Sequence, residues 1–358
     1  MKQLNNYTIA TLGGHSALEI FSGAKKRNFR TLAILQKGRE KTYTQYFNNL
    51  VDAYILVNQF SDITKKELLI KLKDKNAIFI PHRYFQVYLD LNKIEKESSI
   101  PIFGNKYLLK YEDREGKYNQ YSIMNEADII YPRRFTDPRK IDKLVLVKVR
   151  EAERNYERAF FFASNYQEYL NKSRQLIRQK KITSADLQTA VIEEYVVGVG
   201  VNFNFFYSPV TDKLELLGTD TRRQTNIDGL LRIPAKEQIE IEHIIYPTYI
   251  ESGHIAVTVK ESLLEKAFLV AEKLLNATKK IVPPGIIGPF ALQSAILPGP
   301  PEEKIVVFDL SFRIPGSPGT SFTPYSYYLY GQSVSFGDRI AMEIDKAARL
   351  NSLNKILT

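Results

Sequence analysis

From Tyr7 to about residue 105, short apolar runs alternate with amphipathic stretches: YTIATLG, SALEIFSGAKKRN, RTLAILQKG, DAYILVN, TKKELLIKLKDKN and AIFIPH follow one another. The short runs have strand length, and the stretches between them repeat their apolar residues at helical spacing. This β-α-β-β-α-β rhythm predicts an open, mainly parallel sheet with crossover helices. Such a sheet places its ligand site beyond the carboxyl ends of its strands, where GGHS, KGR and PHRY stand. At GGHS, Gly13 and Gly14 lead into a helix beginning near Ser16, with His15, one of only four histidines, beside them. Amide groups at a helix start lack partners and glycine lets an anion come close, so the segment reads as an anion cradle or as a plain tight turn.

A chain of 358 residues has room for two or three domains, and 44% hydrophobic with 25% charged residues is ordinary for a folded protein. No apolar run is long enough to span a bilayer, and the first ten residues lack the pattern of a secretory signal, so a cytoplasmic location is expected. Cysteine is absent, which removes disulfides, thiolate nucleophiles and cysteine-type zinc sites. The net charge of +10 is scattered among acids and helix faces rather than gathered into a stripe. That distribution argues against a nucleic-acid or membrane partner and suits phosphorylated small molecules.

The polar stretch from Lys110 to Asp142, broken at Pro132 and Pro138, reads as a linker with one helix, and a second domain is expected to begin there. KLVLVKV is β-patterned with Lys148 inside it, AFFFAS follows, and REAERNYER between them is expected to be a hairpin loop. NYQEYLNKSRQLIRQKK and TSADLQTAVIEEYVVG read as helical. Strands are predicted at VNFNFFYSPV, KLELLGTDTRRQ, HIAVTVK, GPFALQSAIL and EKIVVFDLSFRI, with helices at SLLEKAFLVAEKLLNATKKI and GDRIAMEIDKAARLN.

Three pieces in this order suit a nucleotide clamped between two β-lobes: a strand lysine (Lys148), the run IEEYVVG, and two late strands carrying ALQS and FDLSFR. A carboxylate within VVFDLSF is costly unless it is paired or metal-bound. Strand alternation puts Asp309, Ser311 and Arg313 on one face. Magnesium takes hard oxygen donors plus phosphate, which Gln293 and Asp309 would supply, with Arg313 over the transferred γ-phosphate. At these residues the chain resembles the ATP-grasp superfamily.

Within it, IATLGGHSALEIFSGAK, PIFGN, IEEYVVG, NIDGLLRIPAK, VPPGIIGPFALQS and GDRIAMEI are similar to the archaeal formate-dependent synthetases that formylate AICAR, the aminoimidazole carboxamide ribotide of purine biosynthesis, to FAICAR. The resemblance implies an α/β ATP-grasp fold with a Rossmann-like domain over residues 1–110 on the AICAR side, a small lobe over 111–198, and a large lobe with the metal site over 199–358. It implies ATP, formate and AICAR as substrates, Mg2+ as cofactor, and a cytoplasmic homo-oligomer. ATP would be held by Lys148, Glu193, Glu194, Tyr195, Val196 and Gln224, and AICAR by Gly13, Gly14, His15, Ser16, Tyr84 and His254. Gln293 and Asp309 would bind the metal, and Arg313 and His15 would serve the chemistry.

Several positions depart from the family pattern. The loop from Arg150 to Arg158 has no glycine where bare amides usually cover the phosphates. Tyr84 stands for a small hydroxyl residue, His254 for an amide, Gln224 for a carboxylate, Asp309 for glutamate and Ser321 for asparagine. Two alternatives follow: a diverged paralogue that binds ribotide or nucleotide as a regulatory subunit, or an ATP-grasp ligase with another carboxylate and amine.

Overall fold

In the computed structural model, which describes residues 6–97, 99–114, 117, 119–150, 158–241, 244–245 and 250–358, the chain forms three sheets. The first contains β1 (Thr8–Leu12), β2 (Arg30–Gln36), β3 (Ala53–Val57) and β4 (Ala77–Phe79) in the order β3-β2-β1-β4, every pair parallel. Helices α1 (Ala17–Lys26) and α2 (Lys66–Asp74) supply the crossovers, as the rhythm of the sequence predicts. All five residues of the central β1 are buried, because helices and loops cover both faces of a parallel sheet. Beyond β4 the chain passes His82 into the short helix α3 (Arg83–Tyr88).

The second sheet has the order β6-β5-β7, from β5 (Val145–Arg150), β6 (Arg158–Ala163) and β7 (Val191–Glu194), with both pairings antiparallel. Val145, Val147 and Val149 pack into one core with Phe161 and Ile192, which turns Lys148 to the other face. The expected hairpin loop at 151–157 lies outside the described residues, but its flanking strands pair as a hairpin requires. One expectation is corrected: IEEY is not helical. The helix ends at Gln188 and Val191–Glu194 forms a strand. Val191 and Ile192 are β-branched, and the open edge of β5 offers a ladder that local helix propensity cannot match.

The third sheet is antiparallel, in the order β10-β9-β8-β11-β12. Its strands are β8 (Val199–Ser208), β9 (Lys213–Gln224), β10 (Glu251–Ala256), β11 (Gly288–Leu297) and β12 (Lys304–Ser311). The strand expected at HIAVTVK starts earlier and stops at Ala256, since β10 is an edge strand whose partner β9 pairs only with Glu251–Ala256. Odd-numbered residues of β8, Val201 to Tyr207, point into a core shared with the long helix Glu261–Ile281, so Asn202 and Asn204 face the other way. A bulge in β12 pairs Gln293 with Asp309 and Ser294 with Val307, leaving Phe308 as an extra residue. Ile305 and Val307 therefore face the core before the bulge, Leu310 and Phe312 after it, and Asp309 is turned out.

The first and third sheets are joined by α1 against the helix Phe336–Arg349, which cross at Gly23 and Gly337. A Cβ on Gly337 would lie 1.9 Å from the Glu19 carbonyl oxygen, so only glycine permits this approach. Glu19 Oε1 also accepts the Phe336 N–H at 2.9 Å, at the amino end of the second helix. Near the carboxyl terminus, Thr358 exchanges backbone hydrogen bonds with Ile102.

Candidate active site

The loop after β1 meets the segment after β12. Ser16 Oγ donates to Pro315 O at 3.1 Å, and the His15 ring lies against Gly316, where a Cβ would be 2.3 Å from its Cε1. Gly14 has φ +149°, and a Cβ there would stand 2.1 Å from the Tyr84 ring, so its freedom is required by both backbone and space. Gly13 N–H donates to Ile34 O at 2.7 Å, and Ala17 N–H to Gly14 O at 2.9 Å. Two amides of the turn are thus engaged, and the His15 ring, held at φ +47°, is packed against Gly316 on the cleft side.

His82 lies beneath. Its Nε2 is 2.8 Å from Leu12 O and its Nδ1 accepts the Tyr84 N–H at 3.2 Å, which assigns the Nε2–H tautomer and caps α3. Burial, and then the nearby Arg313 cation, hold its pKa down to about 4 against the pull of the Leu12 bond. His15 is shifted down too, by exclusion of water from its surroundings and then by Arg313, His82, Arg83 and His254. Both imidazoles are thus neutral at pH 7, in a hollow whose fixed charge is positive. Tyr84 closes one wall, its ring 5.7 Å from Phe60 and 5.2 Å from Tyr88.

On the opposite wall His254 Nδ1 hydrogen-bonds Asp220 Oδ2, and its Nε2 lies 2.8 Å from Glu251 Oε1. Asp220 also accepts from Asn202 at 2.8 Å and Asn204 at 2.6 Å. Burial opposes the charge on His254, yet its two carboxylate partners outweigh it and raise the pKa to about 9. A raised folded-state value stabilises the fold fully below the unfolded value of 6.5, and that contribution is lost as pH climbs through 9. We expect wild type to lose on the order of 3 kcal/mol between pH 6.5 and 10 through this group. His254→Asn should flatten that part of the stability curve; an unchanged slope in denaturant melts would remove His254 as its source.

A polar row crosses the third sheet, because Asp220 pairs with Asn202, Asn202 with Gln293, and Gln293 with Asp309. Cross-strand partners share a face, so four adjacent strands each contribute one oxygen-bearing side chain. Gln293 Oε1 accepts from Arg222 Nη2 at 2.6 Å, and Asp309 Oδ1 is paired with Arg114 Nη2 at 2.7 Å. Each oxygen thus already meets a cation. These are oxygens of the hard type that magnesium takes, and an ion could use them only once Arg222 and Arg114 have turned away. Among the described residues no group of three or more acidic or imidazole side chains could hold a metal, so such an ion would need further oxygens, as from phosphate.

The buried Lys148 Nζ stands 2.5 Å from Glu193 Oε2, and Glu193 Oε1 accepts from the Tyr121 hydroxyl. Burial lowers the Lys148 pKa while Glu193 opposes that shift. Glu194 pairs with Lys143 at 3.0 Å, Tyr195 N–H donates to Leu144 O at 2.9 Å, and Val196 is half-buried beyond it. Gln224 lies apart from this group, at the far end of β9 opposite Glu251, with its N–H on Asp228. Ser321 is half-buried in the turn Pro318–Phe322, its hydroxyl donating to Pro318 O at 3.1 Å. Arg313 lies two residues past the end of β12, with its Nη1 3.2 Å from Ile314 O. Sequence reasoning placed PHRY at the ligand end of the sheet without singling out His82 or Arg83, and missed Glu112, Arg114 and Asp220; of these three, Asp220, a carboxylate inside LELLGTDT, carried the signal that singled out Asp309.

Three sheets enclosing this cleft, with a lysine strand on one side and an oxygen row on the other, define an ATP-grasp protein. Residues 9–135 match a family described as a protein of unknown function (DUF1246), and residues 168–358 one described as a domain of unknown function (DUF1297). The chain is 40% identical over 356 residues, 98% of its length and 95% of the relative's, to the "5-formaminoimidazole-4-carboxamide-1-(beta)-D-ribofuranosyl 5'-monophosphate synthetase" of Methanocaldococcus jannaschii. It belongs to that synthetase family. Its fold is similar to the crystal structure of an IMP biosynthesis protein PurP from Thermococcus kodakaraensis, with TM-score 0.74 and 26% identity over 98% of this chain and 100% of that one. The biotin carboxylase domain of Hydrogenobacter thermophilus 2-oxoglutarate carboxylase, in complex with MgADP, shares the fold with TM-score 0.60 and 14% identity, covering 95% of this chain and 70% of that one. Among the described residues no helix is long and apolar enough to cross a membrane.

Proposed function

We propose that this protein is the ATP- and formate-dependent ligase that converts AICAR to FAICAR in purine biosynthesis. The observation that carries the reading is the row ending at Gln293 and Asp309, which continues through Arg313 into the hollow of His15 and His254. Formate is a poor electrophile because its carboxylate has no leaving group. Phosphorylation by ATP gives formyl phosphate, and attack by the AICAR amine then expels phosphate. The protein's part is to align the partners and neutralise charge as it moves.

In this reading Lys148 faces the triphosphate, and Glu193, Glu194, Tyr195 and Val196 line the adenine end. Magnesium, when held by Gln293 and Asp309, would neutralise phosphate charge. Arg313 steadies the transferred phosphoryl group. His15, neutral at pH 7, can orient the ribotide or the formyl group by hydrogen bonding, with Gly13, Gly14, Ser16, Tyr84 and His254 shaping the pocket around AICAR. The division at residues 110 and 198, assembly as a homo-oligomer and a cytoplasmic location belong to the same reading. Gln224, lying apart, is its weakest member.

The test is ADP release by the purified protein. We expect release that requires both formate and AICAR together with magnesium, and yields FAICAR in equal amount. No formate-dependent turnover at any magnesium concentration would leave the regulatory paralogue as the better reading.

A further inference from the structure

Tyr121 belongs to the short helix Gln120–Glu126, in the polar stretch between the first sheet and the second. It is only 2% exposed, and it packs with Ile123 and Met124 in the core of the third sheet. The Tyr131 ring lies 5.6 Å away, and the Arg134 guanidinium sits over the Tyr121 ring at 4.0 Å. Gln120, the residue before it, is fully buried, and its Oε1 accepts the Leu310 N–H at 2.9 Å, next to Asp309. This turn of helix is thus part of the wall that carries the oxygen row. The Tyr121 hydroxyl reaches the second sheet, where it donates to Glu193 Oε1.

Both oxygens of Glu193 are taken, Oε1 by Tyr121 and Oε2 by Lys148 Nζ at 2.5 Å. Leu146 pairs with Glu193 and Lys148 with Val191, so Lys148 and Glu193 are diagonal neighbours on one face of the second sheet. Both side chains are buried, so neither oxygen can turn to water instead. The carboxylate of Glu193 thus acts on a nucleotide through Lys148. A lysine ammonium is a point charge on a flexible four-carbon stem, and its place is set by what holds it. Burial, and then the charge of Glu193, raise the Tyr121 pKa well above the usual tyrosine range, so the hydroxyl stays a donor. Without it, Glu193 Oε1 would be a buried acceptor with no donor, and the carboxylate would turn both oxygens onto the one ammonium. Lys148 would be drawn out of place with it.

We propose that Tyr121 is a positioning residue for the nucleotide, fixing Lys148 through Glu193 from the wall that carries the oxygen row. This rests on the reading that Lys148 faces the triphosphate, and not on formate or AICAR being the other substrates. The experiment is calorimetric titration of the full-length protein with MgADP, and separately with AICAR, for wild type, Tyr121→Phe, Lys148→Gln and the double variant. Phenylalanine keeps the ring beside Ile123 and Met124 and removes only the hydroxyl. We expect the MgADP Kd to rise about tenfold in Tyr121→Phe, the effect of one lost hydrogen bond to a charged group, with the AICAR Kd within twofold. In the Lys148→Gln background the same change should alter the MgADP Kd by less than about twofold, because the hydroxyl acts through that lysine. Tyr131→Phe, which removes the neighbouring hydroxyl that donates to Asn125 Oδ1 at 2.7 Å, should leave the MgADP Kd unchanged.

An unchanged MgADP Kd in Tyr121→Phe would overturn the proposal, whatever the loss in melting temperature, as would an equal rise for MgADP and AICAR. A rise that persists undiminished in Lys148→Gln would overturn it too, since the hydroxyl would then act by another route. If wild type binds no MgADP, the nucleotide reading falls and the proposal with it. If wild type binds MgADP but releases no formate-dependent ADP, the ligase reading falls alone and the titrations still decide. Should Tyr121→Phe fail to fold, Glu193→Gln with and without Lys148→Gln carries the decision: unchanged MgADP affinity there overturns the proposal, because Glu193 is its link.

Discussion

Asp309→Asn is expected to lower formate-dependent ADP release by on the order of 10²–10³-fold while leaving AICAR binding intact. The amide keeps the size and one oxygen of the side chain but loses the charge that offsets a cation opposite Gln293. AICAR is assigned to the hollow beyond Arg313, so its affinity should not follow the rate. The same change leaves the half-buried Arg114, whose Nη2 lies 2.7 Å from Asp309, without that counter-charge. The ligand-free protein should therefore melt lower as well, a loss that Arg114→Met in the same chain would partly restore. ADP release and calorimetric titration with AICAR separate the two effects. Full activity in the variant would take Asp309 out of the metal site.

Gly337→Ala should cost about 3 kcal/mol of stability, at the upper end of overpacking effects. The added carbon would lie 1.9 Å from the Glu19 carbonyl, and Gly23, on the facing helix, has its own Cβ position 2.0 Å from the Gly337 carbonyl carbon. Both obstacles are backbone, so no side-chain rotation relieves them and the helices must part. Because α1 starts two residues after His15, their separation moves the turn we propose for AICAR more than the side we propose for the nucleotide. AICAR KM should rise well beyond that of ATP, and thermal melting should show the loss directly. An unchanged melting temperature would mean that the two helices do not touch there.

Much of this architecture is written in local pattern. The first sheet is legible because its strands are apolar runs separated by helix-period stretches, and Asp309 is legible because a carboxylate among valines needs a partner. β7 is not, since VIEE has a mixed local preference and becomes a strand only beside β5. Glu112, Arg114 and Arg83 lie in polar or turn-like sequence whose meaning depends on distant residues. The Glu112 bond to Phe312, for instance, joins positions 200 apart. His82 is hidden for the opposite reason: its partners are backbone groups, which leave no mark on side-chain spacing. The departure at Tyr84 is plain in the sequence, but its fit over the bare Gly14 is a fact of three dimensions.

The extra residue at Phe308 divides β12 into two half-strands of opposite phase. The half before it can be retuned for packing and the half after it for chemistry, because neither dictates which way the other's side chains turn. Losing or gaining one residue elsewhere in this strand would exchange inside for outside along half its length. At 308 the same event would only straighten a bend, which makes that position the natural seam for drift in length.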